Sequence, residues 1–314
     1  MNLMSENTSQ MIHKESGLSL FYALVSGRLQ PGGLWQQPLY RVKYLVRAFI
    51  YPRATMQLLS AIAASQVMQT MLPLQNTLPG KIHRPYLYLS LPVQARSEAI
   101  ISHYDFASRL PLASLRTALL SSVPLTLTTF SGKNGEHFVV ELVCSGRCER
   151  EGEANMFIKC NHTRLAMLTF AVINKPQRVL IIGGIQGAHR DTPHEVIRDA
   201  TRACHGLFPK RLLLEVVQML AAITGVTRIE AVSDRGHVFR SLRYRLSKKR
   251  LFHASYDEFW RAIYGQPVSR DLFSLPLCFP RKPLTEIVSK KRSEYRKRYD
   301  LLDAMQESFR HHVL

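Results

Sequence analysis

The sequence predicts an α+β fold, with a helical N-terminal part followed by a mixed, mainly antiparallel sheet with crossover helices. Three observations lead there. Helix-spaced apolar residues occupy the first third of the chain, and the period changes to two at Leu125. Between Leu125 and Ile182, short strand-like runs follow one another through tight turns, the pattern of an antiparallel meander. Beyond Ile182, two helical segments precede one more strand-like run, Thr227–Val232, which is therefore reached by a helical crossover.

Residues 18–30 read as a short helix, stopped by Pro31, Gly32 and Gly33. Leu39–Tyr51 is a basic amphipathic helix: Leu39, Val42, Leu45, Val46, Phe49 and Ile50 share one face, while Arg41, Lys43 and Arg47 lie off it. Such a helix either packs its apolar face on the core or docks on an anionic surface. Met56–Leu72 continues as a helix, and Pro73, Pro79, Gly80 and Pro85 mark a turn region before the apolar run Tyr86–Ser90. A helix is expected over Gln94–Leu110. Leu125–Phe130 and His137–Val143, joined by a turn at Gly132–Gly135, form a hairpin, and Glu153–Lys159 and Leu165–Ile173 add two strands. Val179–Ile182 is a strand ending where the glycines begin. The next helix, Pro193–Cys204, has Thr192 as N-cap, Pro193 at its first position and Glu195 at its third. His205, Gly206 and Pro209 stop it, and Lys210–Thr224 is a second helix closed by Gly225. The chain divides into a helical region over 1–85, an α+β domain over 86–280 and a basic C-terminal helix over 281–314.

A chain of 314 residues buries a sizeable core. Its 42 Lys and Arg against 23 Asp and Glu, a net charge of +19, point to an anionic partner, either a membrane surface or nucleic acid. Five cysteines form no paired disulfide framework, and Cys144, Cys148 and Cys160 lack the companion spacing of a zinc site, so free thiols and no metal are expected. No basic segment leads into an apolar signal core, and no window approaches the roughly 18 apolar residues that span a bilayer. The expected location is cytoplasmic, or peripheral at the inner face of the inner membrane.

The glycines at Gly183, Gly184 and Gly187 fit neither G-x-G-x-x-G nor a Walker loop. Antiparallel strands, a glycine-rich turn, a helix and a further strand do resemble the core order of GNAT-type acyltransferases, which place a cofactor pyrophosphate at that turn. Their usual signature, Gln or Arg followed by x-x-G-x-G/A, is absent. On this reading the protein is an acyl-CoA-dependent acyltransferase. Gly184, Gln186, Gly187 and Ala188 are its cofactor-binding candidates, and Asp234 and His237, just past a strand end, are its catalytic candidates. The alternative is that the glycines serve positive φ and close strand–helix packing. Glu149, Glu151 and Glu153 alternate, which on a strand puts three carboxylates on one face, with Arg147 or Arg150 to satisfy them. No nucleophile elbow, H-E-x-x-H or kinase motif occurs.

The last third is densely basic and interleaved with aromatics. Lys248, Lys249, Arg250, Lys290, Lys291, Arg292, Arg296, Lys297 and Arg298 could grip phosphates of RNA or of lipid headgroups. The absence of an RNP, KH or helix-turn-helix signature makes an RNA-binding regulator a non-specific one. Five blocks in order then carry a resemblance: G-I-Q-G-A at Gly184–Ala188, T-x-x-x-H-G-L-x-P-K-x-L-L-L at Thr201–Leu214, F-R-S-L-R-Y-R at Phe239–Arg245, S-Y-D-E-F-W at Ser255–Trp260 and K-R-S-x-Y-R-x-R-Y at Lys291–Tyr299. Together they are similar to the VirK/YbjX proteins of enteric and related bacteria, over most of the chain from about Leu20. The resemblance implies a part in virulence, envelope stress and resistance to cationic antimicrobial peptides in Gram-negative bacteria, and it brings no catalytic residue with it.

Overall fold

A computed structural model describes residues 16–174, 176–241 and 255–314. One eight-stranded sheet lies between two layers of helices. Its order is β1-β2-β3-β4-β5-β6-β8-β7, comprising β1 (Leu125–Ser131), β2 (His137–Val143), β3 (Ala154–Cys160), β4 (Thr163–Asn174), β5 (Arg178–Gly187), β6 (Arg228–Val232), β7 (Gln266–Pro267) and β8 (Leu272–Leu275). The first five strands form the expected antiparallel meander. The pair β5–β6 is parallel, and β8 returns antiparallel to β6, leaving β7 at the edge.

One helical layer comes from the N-terminal part: α1 (Gly17–Ser26), α2 (Gly33–Gln36), α3 (Pro38–Ile50), α4 (Pro52–Ala64), α5 (Gln66–Thr70) and α6 (Val93–Ser108). Leu20, Leu24, Trp35, Leu58, Leu59 and Ile62 build its core and meet the sheet at Ala171 and Ile181. α7 (Ala113–Leu119), α8 (His194–Ala203), α9 (Pro209–Thr224), α10 (Tyr256–Ala262) and α11 (Ser289–Val313) follow. On the opposite face, α9 and α11 cover a second core, with Leu212, Val216, Leu220, Met305 and Phe309 packed over Val140, Met156, Leu168 and Leu180. The basic C-terminal helix is thus a wall of the main core: Thr128 on β1 donates to the Met305 carbonyl at 2.8 Å.

Local chemistry explains the differences from the sequence-based expectations. The helix expected over Met56–Leu72 is two helices, because Ser65 turns extended and caps α5, its hydroxyl accepting from Met68 N–H. Tyr86–Ser90 forms only a bridge between Tyr86 and Tyr88. α8 begins at His194 with Pro193 at the cap position, one residue later than expected. The largest correction is β5, which does not end at Ile182 but runs through the glycines to Gly187, paired with β4. Gly183 is the extra residue of a β-bulge there, with Thr169 opposite Gly184 and Phe170 opposite Ile182.

Candidate functional site

The site begins with the glycines, because they let another segment lie on β5. The turn before β3 crosses over the bulge, and a Cβ on Gly183 would land in the Glu151 backbone, one on Gly184 in the Glu151 carboxylate. Glycine at both positions therefore admits Glu151 to the sheet surface. Gly187 differs, since a Cβ there would meet only the end of Lys210, at 4.0 Å.

Glu151 is 1% exposed. Its Oε1 lies 3.4 Å from His237 Nε2, and the exposed Gln186 reaches down from β5 to donate to Oε2 at 3.4 Å. The His237 ring is oriented by its backbone. Nδ1 accepts from Phe239 N–H at 3.3 Å, which leaves Nε2 as the ring nitrogen on the side of Glu151. The ring stacks on Tyr256, 5.5 Å between centres. Tyr256 bridges the divergence of the sheet. The β5–β6 ladder stops at Ile182 and Ala231, and past it the Tyr256 hydroxyl accepts from Ile185 N–H at 3.3 Å and donates to Ile185 C=O at 3.2 Å. Burial and the Glu151 carboxylate hold the Tyr256 phenol above its ordinary pKa, and so protonated.

Asp234 holds this arrangement in place. Its carboxylate accepts from Tyr256 N–H at 2.8 Å and Asp257 N–H at 3.2 Å, while Asp257 accepts from Asp234 N–H at 2.7 Å. This reciprocal pair ties the start of α10 to the end of β6. Of the two catalytic candidates, His237 lies in the buried cluster and Asp234 positions the helix that carries Tyr256. Gln186 borders the cluster, Gly184 backs it, and Gly187 and Ala188 continue toward the exposed loop before α8.

The three alternating glutamates do not share a strand face, because residues 148–151 turn. Glu149 pairs with Arg150 at 3.4 Å and accepts from the Thr77 hydroxyl. Glu153 is fully buried and takes Lys81 Nζ on both oxygens at 2.9 Å, the Tyr86 hydroxyl at 2.7 Å and the Tyr104 hydroxyl at 2.8 Å. Of this cluster, the sequence singles out Glu151 only as a carboxylate to be satisfied by Arg147 or Arg150, and it does not single out Tyr256. The signal for Tyr256 was the capping pattern S-Y-D-E at Ser255–Glu258, which marks a helix start beside a strand end.

The surface candidates are dispersed. Arg41, Lys43 and Arg47 lie on α3, and Arg41 donates to Ser26 C=O at 3.4 Å. Lys290, Lys291 and Arg292 are exposed on the first turn of α11, where Arg292 donates to Ile287 C=O at 2.9 Å. Lys248, Lys249 and Arg250 lie outside the described residues. Among the described residues, no group of three His, Cys, Asp or Glu is placed to hold a metal, and no helix is long and apolar enough to cross a membrane.

Residues 33–311 match the family described as "Protein of unknown function (DUF535)". A protein of Escherichia coli strain K12, described as "Uncharacterized protein YbjX", is 37% identical over 308 residues, covering 98% of this chain and 93% of the relative. Two proteins of Haemophilus influenzae, each described as "Uncharacterized protein", are 37% and 32% identical over 137 and 139 residues, 44% of each chain.

Proposed function

This chain belongs to the DUF535 family, the VirK/YbjX proteins, and on that premise we propose that it is an acyl-CoA-dependent acyltransferase of GNAT-like fold. Its service is envelope-stress adaptation and resistance to cationic antimicrobial peptides during virulence, exercised peripherally at the inner face of the inner membrane. One observation carries the acyl-transfer reading: the one parallel pair among the described strands, β5–β6, ends at Ile182 and Ala231, and a Glu–His pair and a tyrosine hydroxyl lie beside the opening. Next to this pair β8 lies between β6 and β7 in the sheet.

The residues beside the opening fit such a cofactor at its anionic end. Gly187 is exposed with open space where a side chain would be, the Lys210 side chain ends beside it, and the loop to the N-terminus of α8 follows. The cofactor would supply an activated acyl thioester. Glu151 would accept the proton lost by an incoming amine or hydroxyl, with the His237 ring holding the carboxylate's other side at 3.4 Å. Gln186 bridges this buried carboxylate to the surface, where an acceptor arrives. As the new acyl bond forms and the thioester C–S bond breaks, Tyr256, held protonated at Ile185, would give its proton to the leaving thiolate.

Titration calorimetry with acyl-CoA of several chain lengths tests the reading. Binding is expected with the wild type, weakened by Gly187→Ala. No heat at any chain length would overturn it and leave the glycines to packing alone.

A further inference from the structure

The helical layer carries an apolar stripe that faces away from the protein. α3 turns inward through Tyr44 and Ala48, with the Tyr44 ring edge-on to Trp35 at 5.0 Å between centres. The alternative in which its apolar face packs on the core is thereby corrected, because the aromatic and small residues fill that space instead. Leu39, Val42, Val46, Phe49 and Ile50 are left between 54% and 73% exposed. At 3.6 residues per turn these five fall within about a third of the helix circumference, with Lys43 on its margin. Leu18 and Tyr22 of α1, in the same layer, are 52% and 65% exposed.

Charge determines what can cover this face. Between Gly17 and Ser97 the chain contains no Asp or Glu, while Arg28, Arg41, Lys43, Arg47 and Arg53 all fall there. Glu149, which approaches the layer from the sheet, is engaged by Thr77 and Arg150. A second copy would bring the same cations against these and be repelled. Nucleic acid would meet the cations but give five large apolar side chains no burial. An anionic bilayer accepts both, taking the stripe between its headgroups and the cations at its surface.

We infer that α3 is a monotopic docking helix for anionic lipid bilayers, lying in the interface with Leu39, Val42, Val46, Phe49 and Ile50 inserted. The inference sharpens the peripheral placement proposed above and is independent of the acyl-transfer chemistry, whose cluster lies elsewhere on the sheet.

Flotation of the full chain with vesicles of phosphatidylcholine, with and without phosphatidylglycerol, tests it. Binding is expected only with the anionic vesicles and should fall with salt. Phe49→Ser with Ile50→Ser should abolish it without lowering the melting temperature, since both side chains are exposed. Arg28→Gln, Lys43→Gln and Arg53→Gln together should weaken it about 100-fold, a second route should the serine variant fail to fold. Acyl-CoA calorimetry on these variants should match the wild type, which separates this inference from the catalytic one. Absence of flotation by the wild type with anionic vesicles would overturn the inference. So would a solution dimer, by light scattering, that the serine variant splits.

Discussion

Glu151 and Glu153 stand two residues apart, both buried, and the protein treats them in opposite ways. Glu153 is saturated: a lysine and two tyrosine hydroxyls occupy its oxygens, contributed by α6 and by the segment linking α5 to α6. Gln75 extends the knot, accepting from Lys81 at 3.1 Å and donating to Cys144 Sγ at 3.3 Å. Glu151, among the described residues, has the His237 imidazole on one side and the exposed Gln186 amide on the other, and it lies against Gly183 and Gly184. A carboxylate closed in by donors pins the helical layer to the sheet. A carboxylate met from the surface by a single amide, as Glu151 is by Gln186, is the proton acceptor under the acyl-transfer reading. Burial alone therefore does not separate structure from chemistry, and the identity of the neighbours does.

Breaking the closed region should cost most. Lys81→Met strands a buried carboxylate, and a loss of about 3–5 kcal/mol is expected in urea unfolding. Adding Glu153→Leu to that variant should recover only part of the loss, since it removes the isolated charge but leaves the Tyr86 and Tyr104 hydroxyls without their acceptor. Next comes the open region, where Glu151→Gln keeps the shape and removes the base. Under the acyl-transfer reading, turnover should drop about 100-fold, equivalent to about 2.7 kcal/mol, with melting little changed. A melting loss as large as that of Lys81→Met would make Glu151 a structural residue and erase the contrast.

The glycines sharpen the comparison from the backbone side. Gly183→Ala forces Glu151 off the bulge and should cost roughly 1–3 kcal/mol, whereas Gly187→Ala, in open space, should stay within about 0.5 kcal/mol. Equal losses at both would mean that Glu151 does not rest on β5.

Acid should reach the closed region through His103. This ring is fully buried beside Glu153 and Lys81, accepts from Val172 N–H at 3.1 Å, and is pushed by desolvation down to about 4. The unfolded chain, with an ordinary histidine near 6.5, binds the proton first. Stability is therefore present above pH 6.5 and lost as pH falls from 6.5 toward 4, by up to about 1.4 kcal/mol per unit for this one group. His83, packed between α3 and α4 and also lowered to about 4, acts in the same direction. His103→Gln should flatten part of that slope in melting curves taken across the window, and an unchanged slope would assign the acid loss elsewhere.

The meander was legible because its strands alternate and its turns carry glycine and asparagine, all of which act within a few residues. Helices α8 and α9 were legible from Pro193, Glu195 and Gly225, which act at helix ends. The glycine run was misread as a turn for an equally local reason. Glycine permits a turn and also permits close approach, and the sequence does not say which is used. Only the arrival of Glu151 over β5 distinguishes the two, and that contact joins segments about thirty residues apart.

By itself, the sequence determined the α+β class, the order of the meander and crossover, the strong positive charge and the amphipathic character of α3, because period, propensity and charge are properties of neighbouring residues. The tertiary structure alone decided that the apolar face of α3 points outward, that Glu153 is enclosed by a lysine and two tyrosines while Glu151 lies under Gln186, and that Tyr256 bonds Ile185 where the β5–β6 ladder has ended. Each of these depends on which distant surface arrives first to bury a group. Tyr44 and Trp35 fill the inner side of α3, Lys81 and two tyrosines enclose Glu153, and Tyr256 bonds Ile185 beyond the last β5–β6 pair.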